Sequence, residues 1–186
     1  FRQQMQVMLG NYADTFEKAL QSDVHVSIRV NKPPKFPANN PYKNFAEVPW
    51  CNTGYYLPER PVFTLDALFH AGAYYVQEAA SMYLEQCISR ILKDIGTPEI
   101  VLDLCAAPGG KSTHLASLLP DESILVSNEI IRSRANILHE NITKWGTANC
   151  VVSNNDPKDF APLRNLFDII LVDAPCSGEG MFRKDK

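Results

Sequence analysis

The residues most able to do chemistry begin with CAAPGGKS, Cys105 through Ser112. Its end, Gly110-Lys111-Ser112, matches the close of a phosphate-binding loop of the form G-x-x-x-x-G-K-[ST]. The position that should hold the first glycine is Cys105. Pro108 also removes a backbone N–H where a phosphate nest needs donors. Phosphate hydrolysis is thus the weaker reading. A glycine turn that admits a ligand close to the backbone is the stronger. Three carboxylates follow it: Glu129 in LVSNE, Asp156 in SNND and Asp173 in LVDAP. Glu129 lies twenty residues after Gly109, matching the offset of about 20 for a ribose-binding acid. A fourth element is Cys176 in DAPCSG, held by Pro175 and Ser177-Gly178 in a tight loop where a thiol can react.

These residues need particular elements to position them. EIVLDLC, SILVSNE, CVVSNND and FDIILVDAPCSG are short apolar runs of the kind found in buried parallel strands. GGKSTHLASLL and RSRANILHENITKWG read as intervening helices. Strand–helix alternation implies a parallel sheet with helices on both faces. The three carboxylates then end consecutive strands, at the edge where such sheets bind ligands. Each alone has a plainer reading as a helix cap or solvated strand end. Together, behind a glycine turn, they favour a cofactor. An acidic edge repels pyrophosphate but accepts ribose hydroxyls and tolerates a sulfonium cation. S-adenosyl-L-methionine therefore fits better than NAD or ATP. Lys111 belongs either to this turn or to a solvated helix start.

Upstream, residues 1 to about 22 carry Met5, Met8, Leu9, Tyr12, Phe16 and Leu20 at helical spacing, the pattern of a packed helix face. VHVSIRVN alternates as a strand, and the Pro- and Asn-rich NKPPKFPANNPYKN is loop. FAEVPWCNTGYYLPERPVF holds strand-like pieces, and Tyr74 to Gly96 reads as one helix. The expected domain boundary is near residue 70: an α+β part over 1–70 and the sheet domain over 71–186.

The bulk composition is an ordinary globular balance. Of 186 residues, 45% are hydrophobic and 21% charged, with a net charge of −3. No global basic signal marks nucleic acid, although Arg132, Arg134, Lys144, Arg183 and Lys184 are candidates for local phosphate contact. No apolar run has membrane-spanning length. The N-terminus lacks Met and a signal-peptide layout, and reads as an interior start. The five cysteines (Cys51, Cys87, Cys105, Cys150, Cys176) contain no CxxC pair, and the four histidines do not cluster with them in sequence. No metal site is expected, and a reducing, cytoplasmic setting is. Cys87 and Cys150 read as small buried hydrophobes.

LDLCAAPGGKSTHLA, NE, NND and DAPCSGEGMFRKD, with upstream IRVN, VPWCNTGYY and HAGAYYVQEAASM, resemble the Nop/Sun family of RNA cytosine-5 methyltransferases. They are most similar to its bacterial RsmF-type ribosomal RNA enzymes. The resemblance spans nearly the whole chain. It implies an α/β Rossmann-like S-adenosylmethionine-dependent methyltransferase sheet, incomplete at its C-terminal end, with a small α+β N-terminal domain that engages RNA. It assigns cofactor binding to Cys105, Ala106, Ala107, Pro108, Gly109, Gly110, Lys111, Glu129, Asp156 and Asp173. The implied substrate is a cytidine of 16S ribosomal RNA or the small ribosomal subunit, and the protein is expected to be a monomer. The family's attacking cysteine lies in a later Thr-Cys motif absent from these 186 residues. The resemblance thus gives Cys176 a part in product release, with Asp173 at the cytosine edge. In DNA cytosine-5 methyltransferases a Pro-Cys cysteine is instead the nucleophile. The chain alone is expected to bind cofactor weakly at best and not to turn over. A non-catalytic RNA-binding module and a P-loop NTPase are the alternatives.

Overall fold

A computed structural model of the chain describes residues 1–22, 25–32 and 41–176. Most of the Pro-rich loop, the Ser177-Gly178 turn, Arg183 and Lys184 lie outside the described residues. The chain divides into two units, Phe1–His25 with Pro175–Lys186, and Val26–Ala174.

In the first unit the expected single helix is two. α1 (Arg2–Leu9) and α2 (Ala13–Gln21) are joined by a 3-10 turn at Gly10–Tyr12. Gly10, at φ 52°, ends α1, because left-handed backbone cannot continue a right-handed helix. Of the apolar stripe, Met8, Tyr12 and Phe16 are exposed and Met5, Leu9 and Leu20 half-buried, so it is not the fully packed face its spacing suggests.

The second unit holds two sheets. β1 (Val26–Val30) is central to an antiparallel sheet, flanked by β2 (Gly54–Leu57) and β3 (Tyr74–Val76). Ile28, Val30, Tyr55, Leu57 and Tyr74 form its core. Residues 74–96 are therefore not one helix. The first three form β3, a 3-10 turn covers Ala79–Tyr83, and only α4 (Leu84–Ile95) is helical. Pairing to β1 outweighs helical pattern here: Tyr75 aligns with Arg29, and β-branched and aromatic residues suit the ladder. The antiparallel sheet thus takes its third strand from beyond residue 70. α3 (Ala67–His70) precedes that strand, its first turn capped by Asp66, which accepts from the Leu68 amide (2.8 Å).

The parallel sheet contains β4 (Ile100–Asp103), β5 (Ile124–Asn128), β6 (Cys150–Ser153) and β7 (Ile169–Leu171), in the order β6-β5-β4-β7. α5 (Gly110–Leu118) and α6 (Arg132–Trp145) connect β4 to β5 and β5 to β6. Val101, Leu125 and Ile169 pack against Ile88 of α4 and Leu115 of α5. Leu138 and Ile142 of α6 pack with Ala106 and Ala107. Among the described residues the helices cover one face, not both. Successive crossovers advance in one direction, and the right-handed rule puts their helices on the same side. The return to β7 passes through a 3-10 turn at Pro157–Phe160 that supplies no long helix. Val151 and Ile170, on the opposite face, are accordingly exposed.

Gly72 shows how tightly the antiparallel sheet meets α6. Its φ is 71°, and a Cβ there would lie 2.0 Å from the Lys144 carbonyl oxygen. Gly96 has a similar φ of 78° but open space around it. Gly72→Ala is expected to lose the roughly 1–3 kcal/mol of left-handed strain plus the cost of moving backbone. Gly96→Ala should lose only the strain. Equal losses in denaturant titrations of the two variants would contradict this packing.

Candidate cofactor site and the family of the chain

The carboxyl edge of the parallel sheet carries the glycine turn. Gly109 adopts φ 112°, and its amide donates to Ala106 O (2.9 Å), closing a tight turn before α5. The Ala107–Pro108 bond is cis. A Cβ on Gly110 would stand 3.3 Å from the Tyr75 ring, so β3 closes over the turn. A cleft of about 190 Å³ results. Cys105, Ala106, Ala107, Pro108, Gly110 and Lys111 line one side with Asp173, and residues of β3 through Ser81 line the other.

Ser112 does not serve as a phosphate-loop hydroxyl. Its Oγ donates to Asp103 Oδ2 (2.6 Å), and both residues are fully buried. Lys111 Nζ is ion-paired to Asp173. The two residues that suggested phosphate are thus committed to carboxylates.

Asp103 is a buried acid that the motifs did not single out. Its signal was present, an acid ending an apolar strand one residue before the CAAPGG region's Leu104-Cys105. Burial pushes its carboxyl up to about 6, against the Ser112 hydrogen bond and the Lys111 charge, which favour ionisation. Its Oδ1 is buried and has no hydrogen-bond partner. Gln77 is a second such residue. Its Oε1 accepts from Arg29 Nε (2.9 Å), and its Nε2 is buried without a partner beside the cleft. Of the two, Gln77 lines the cleft, and its unfilled donor indicates a polar ligand there, because buried polar groups are otherwise paired.

The other expected residues are placed as follows. Glu129 is 2% exposed; its Oε1 accepts from the Ile131 amide (3.0 Å) and its Oε2 pairs with Arg134 (3.2 Å). Asp156 caps its own turn, accepting from the Lys158 amide (2.9 Å), so its plainer reading is visible in the structure. Asp173 is exposed beyond β7. Cys176 is exposed. Cys87 is also exposed and Cys150 half-buried, against the buried reading of both. Arg134 also donates to Ala107 O (2.8 Å), bracing the turn while its side chain stays 43% exposed.

IRVN acquires a structural role. Arg29 is completely buried and reaches Thr113 Oγ1 (2.6 Å) and Gly110 O (3.2 Å) on the first turn of α5. Its guanidinium lies 4.5 Å from the Trp145 ring centroid. Burial lowers its pKa to about 9, which leaves it charged at neutral pH. Asn31 Nδ2 donates to Gly72 O and Trp145 O, both at 2.9 Å. The two residues fasten the antiparallel sheet to α5 and α6.

One histidine does meet a cysteine in space. His114 Nε2 lies 3.3 Å from Glu85 Oε2 and 3.9 Å from Cys51 Sγ, and all three residues are buried. Burial alone would raise the Glu85 pKa, but hydrogen bonds from His114, the Asn52 amide and Cys51 hold it below the usual range. Burial lowers that of His114. A neutral ring donating from Nε2 to ionised Glu85 satisfies both directions, and leaves the partnerless Nδ1 as an acceptor rather than an N–H. The group reads as a hydrogen-bonded network joining the 51–53 turn to α4 and α5.

Comparison with known proteins decides the family. Residues 91–186 match the family described as 16S rRNA methyltransferase RsmB/F. The chain belongs to that family. Residues 1–79 match the N-terminal domain of 16S rRNA methyltransferase RsmF. A ribosomal RNA small subunit methyltransferase F of Vibrio campbellii is 43% identical over 143 residues, covering 75% of this chain and 29% of that protein. The protein of the same name from Escherichia coli O157:H7 is 36% identical over 183 residues, covering 92% and 38%. The chain therefore spans about a third of the length of these curated relatives. Among solved structures, a methyltransferase homologue from Pyrococcus horikoshii superposes with a TM-score of 0.71 at 29% identity, over 91% of this chain and 56% of that one. The RsmB/F chain has the Rossmann-like methyltransferase fold. No helix of the described residues is long and apolar enough to cross a membrane.

The raised pKa of Asp103 sets a pH dependence. Between about pH 4 and pH 6 the folded state holds a proton that the unfolded chain has released. The stability this proton contributes is full below pH 4 and lost as pH rises through 6. Asp103→Asn removes the titration. Denaturant titrations should show the variant gaining on wild type by on the order of 2–3 kcal/mol from pH 4 to pH 7. A difference independent of pH would contradict the buried carboxyl.

Proposed function

We propose that the protein transfers a methyl group from S-adenosyl-L-methionine to carbon 5 of a cytidine in RNA, the substrate being 16S ribosomal RNA or the small ribosomal subunit. The observation that carries this is the cleft behind the glycine turn. Gln77 lines it with an unfilled donor, and Asp103, fully buried and bonded to Ser112 at the start of α5, carries an unfilled acidic acceptor. This donor set fits an amino-acid-bearing sulfonium cofactor and not a triphosphate, which the clustered carboxylates would repel.

Residues Cys105 through Lys111 would hold the cofactor with their backbone, and Asp103 would receive its ammonium group. Glu129 would accept the ribose hydroxyls. Asp156, already capping its turn, would offer its second oxygen to the adenine amino group, and Asp173 would border the reacting base. When bound, the cofactor supplies an electrophilic methyl. Carbon 5 of cytosine is a poor nucleophile, so a cysteine thiolate adds to carbon 6 and makes carbon 5 electron-rich. A base then takes the carbon 5 proton and the thiolate leaves. Cys176, three residues after Asp173, takes the release step. The target base must be unstacked to reach the cleft, which favours single-stranded or splayed RNA.

We assign the N-terminal part, expected over residues 1–70, to RNA engagement, and 71–186 to the methyltransferase domain. A cytoplasmic monomer is the accompanying expectation. Bisulfite mapping of ribosomal RNA from cells with and without the gene tests the reading. One cytidine should lose its protection, and an unchanged map would refute it. In the full protein, Cys176→Ala should accumulate a covalent protein–RNA adduct on denaturing gels. Complete loss of methylation with no adduct would instead make Cys176 the nucleophile.

A further inference from the structure

A second cavity, of about 280 Å³, lies beside the cofactor cleft and has a different chemistry. Aromatic rings wall it: Phe63, Phe69, Tyr74 and Tyr75, with Trp145 behind. Phe63, Phe69 and Tyr74 pack mutually at 5.9–6.3 Å between ring centroids. Two cations stand at its rim. The Arg60 guanidinium is 6.0 Å from the Phe63 centroid, and Lys144 Nζ is 5.8 Å from that of Phe69. Both distances are at the outer limit of about 6 Å for a cation over a ring, so the exposed Arg60 can turn to an anion at little cost. Lys144, half-buried, also pairs with Glu140 (2.6 Å).

The cavity is not isolated from the cleft. Tyr75 and Val76 line both, so β3 runs from one to the other and delivers Gln77 to the cleft. Asn141, also on the cavity wall, donates to Pro108 O of the glycine turn (2.7 Å). Aromatic faces with cations at the rim are the combination that binds unpaired nucleotides, the rings stacking on bases and the cations holding phosphates. The volume suits one base.

We propose that this cavity is a stacking subsite for an unpaired nucleotide of the substrate RNA, one flanking the cytidine that enters the cleft. The proposal rests on the functional reading above and extends it. A base held against Phe63 and Phe69 anchors the strand, Arg60 and Lys144 take adjoining phosphates, and β3 sets the spacing to the target. The subsite prefers splayed single strands to duplex, because a paired base cannot present its face.

The test uses the full protein and RNA oligonucleotides containing the methylated cytidine. 5-Iodouridine placed singly at each flanking position should photo-crosslink from one position to Phe63, Phe69 or Tyr75, mapped by mass spectrometry. An abasic nucleotide at that position should weaken binding by roughly five- to a hundred-fold, the loss of one base–aromatic stack. Arg60→Gln, an exposed substitution that leaves the core intact, should lower the salt-dependence slope of binding by about one. Its affinity for S-adenosylmethionine should be unchanged. Methylation with crosslinks mapping elsewhere, or with no sensitive abasic position, overturns the subsite and leaves the functional reading standing. Failure of the wild-type protein to bind or methylate any RNA overturns both.

Discussion

The structure depends on a charge placed where charges are costly. Arg29 is wholly buried, and its described contacts are carbonyls, a hydroxyl, an amide and an indole face instead of a carboxylate. Burial of an unpaired cation is tolerated only when it is well hydrogen-bonded. Each of the three Arg29 nitrogens finds an acceptor, as Gln77 beside β3, the first turn of α5 and Trp145 of α6 are drawn around it. The glycine turn is therefore fixed from behind by the antiparallel sheet. Neither sheet could shift without orphaning the guanidinium.

That anchoring explains why the ligand edge can hold strained chemistry of its own. Asp103 sits under the turn with one oxygen on Ser112 and the other without a partner. A lone buried acceptor destabilises the ligand-free fold, and a cationic ligand group would relieve it. Stability and binding thus draw on the same atom, as expected where a site is organised before its ligand arrives. The acidic edge sets the sign of the ligand. The aromatic cavity on the far side of Tyr75 sets a different preference, for flat unpaired bases.

The sequence made much of this legible where local pattern and global packing agree. The four apolar runs ending in CAAPGG, NE, NND and DAPC are the four parallel strands, and the glycine turn lies where its spacing put it. The reading failed where tertiary pairing overrode pattern. Tyr74–Val76 carries helical periodicity into α4 but is claimed by β1, a pairing that no window of sequence displays. Asp103 is visible as an acid ending an apolar run, but only its burial and its bond to Ser112 set it apart from a solvated strand end. Arg29 and Asn31 gave no chemical clue, since their partners lie more than forty residues away. The His114–Cys51 approach is likewise a product of packing. The apolar stripe of the first helices was read correctly as a stripe, but Gly10 breaks the helix and leaves several of its residues exposed.

The central claim is that the glycine turn serves a sulfonium cofactor and not a triphosphate. Titration calorimetry of the protein with S-adenosyl-L-methionine and, separately, with ATP and Mg²⁺ tests it most directly. Saturable heat is expected from the full protein with the first alone, weakened in Glu129→Gln by on the order of 1.5–3 kcal/mol through loss of a charge-assisted acceptor. Stoichiometric binding of Mg–ATP, with no heat from S-adenosylmethionine, would contradict it.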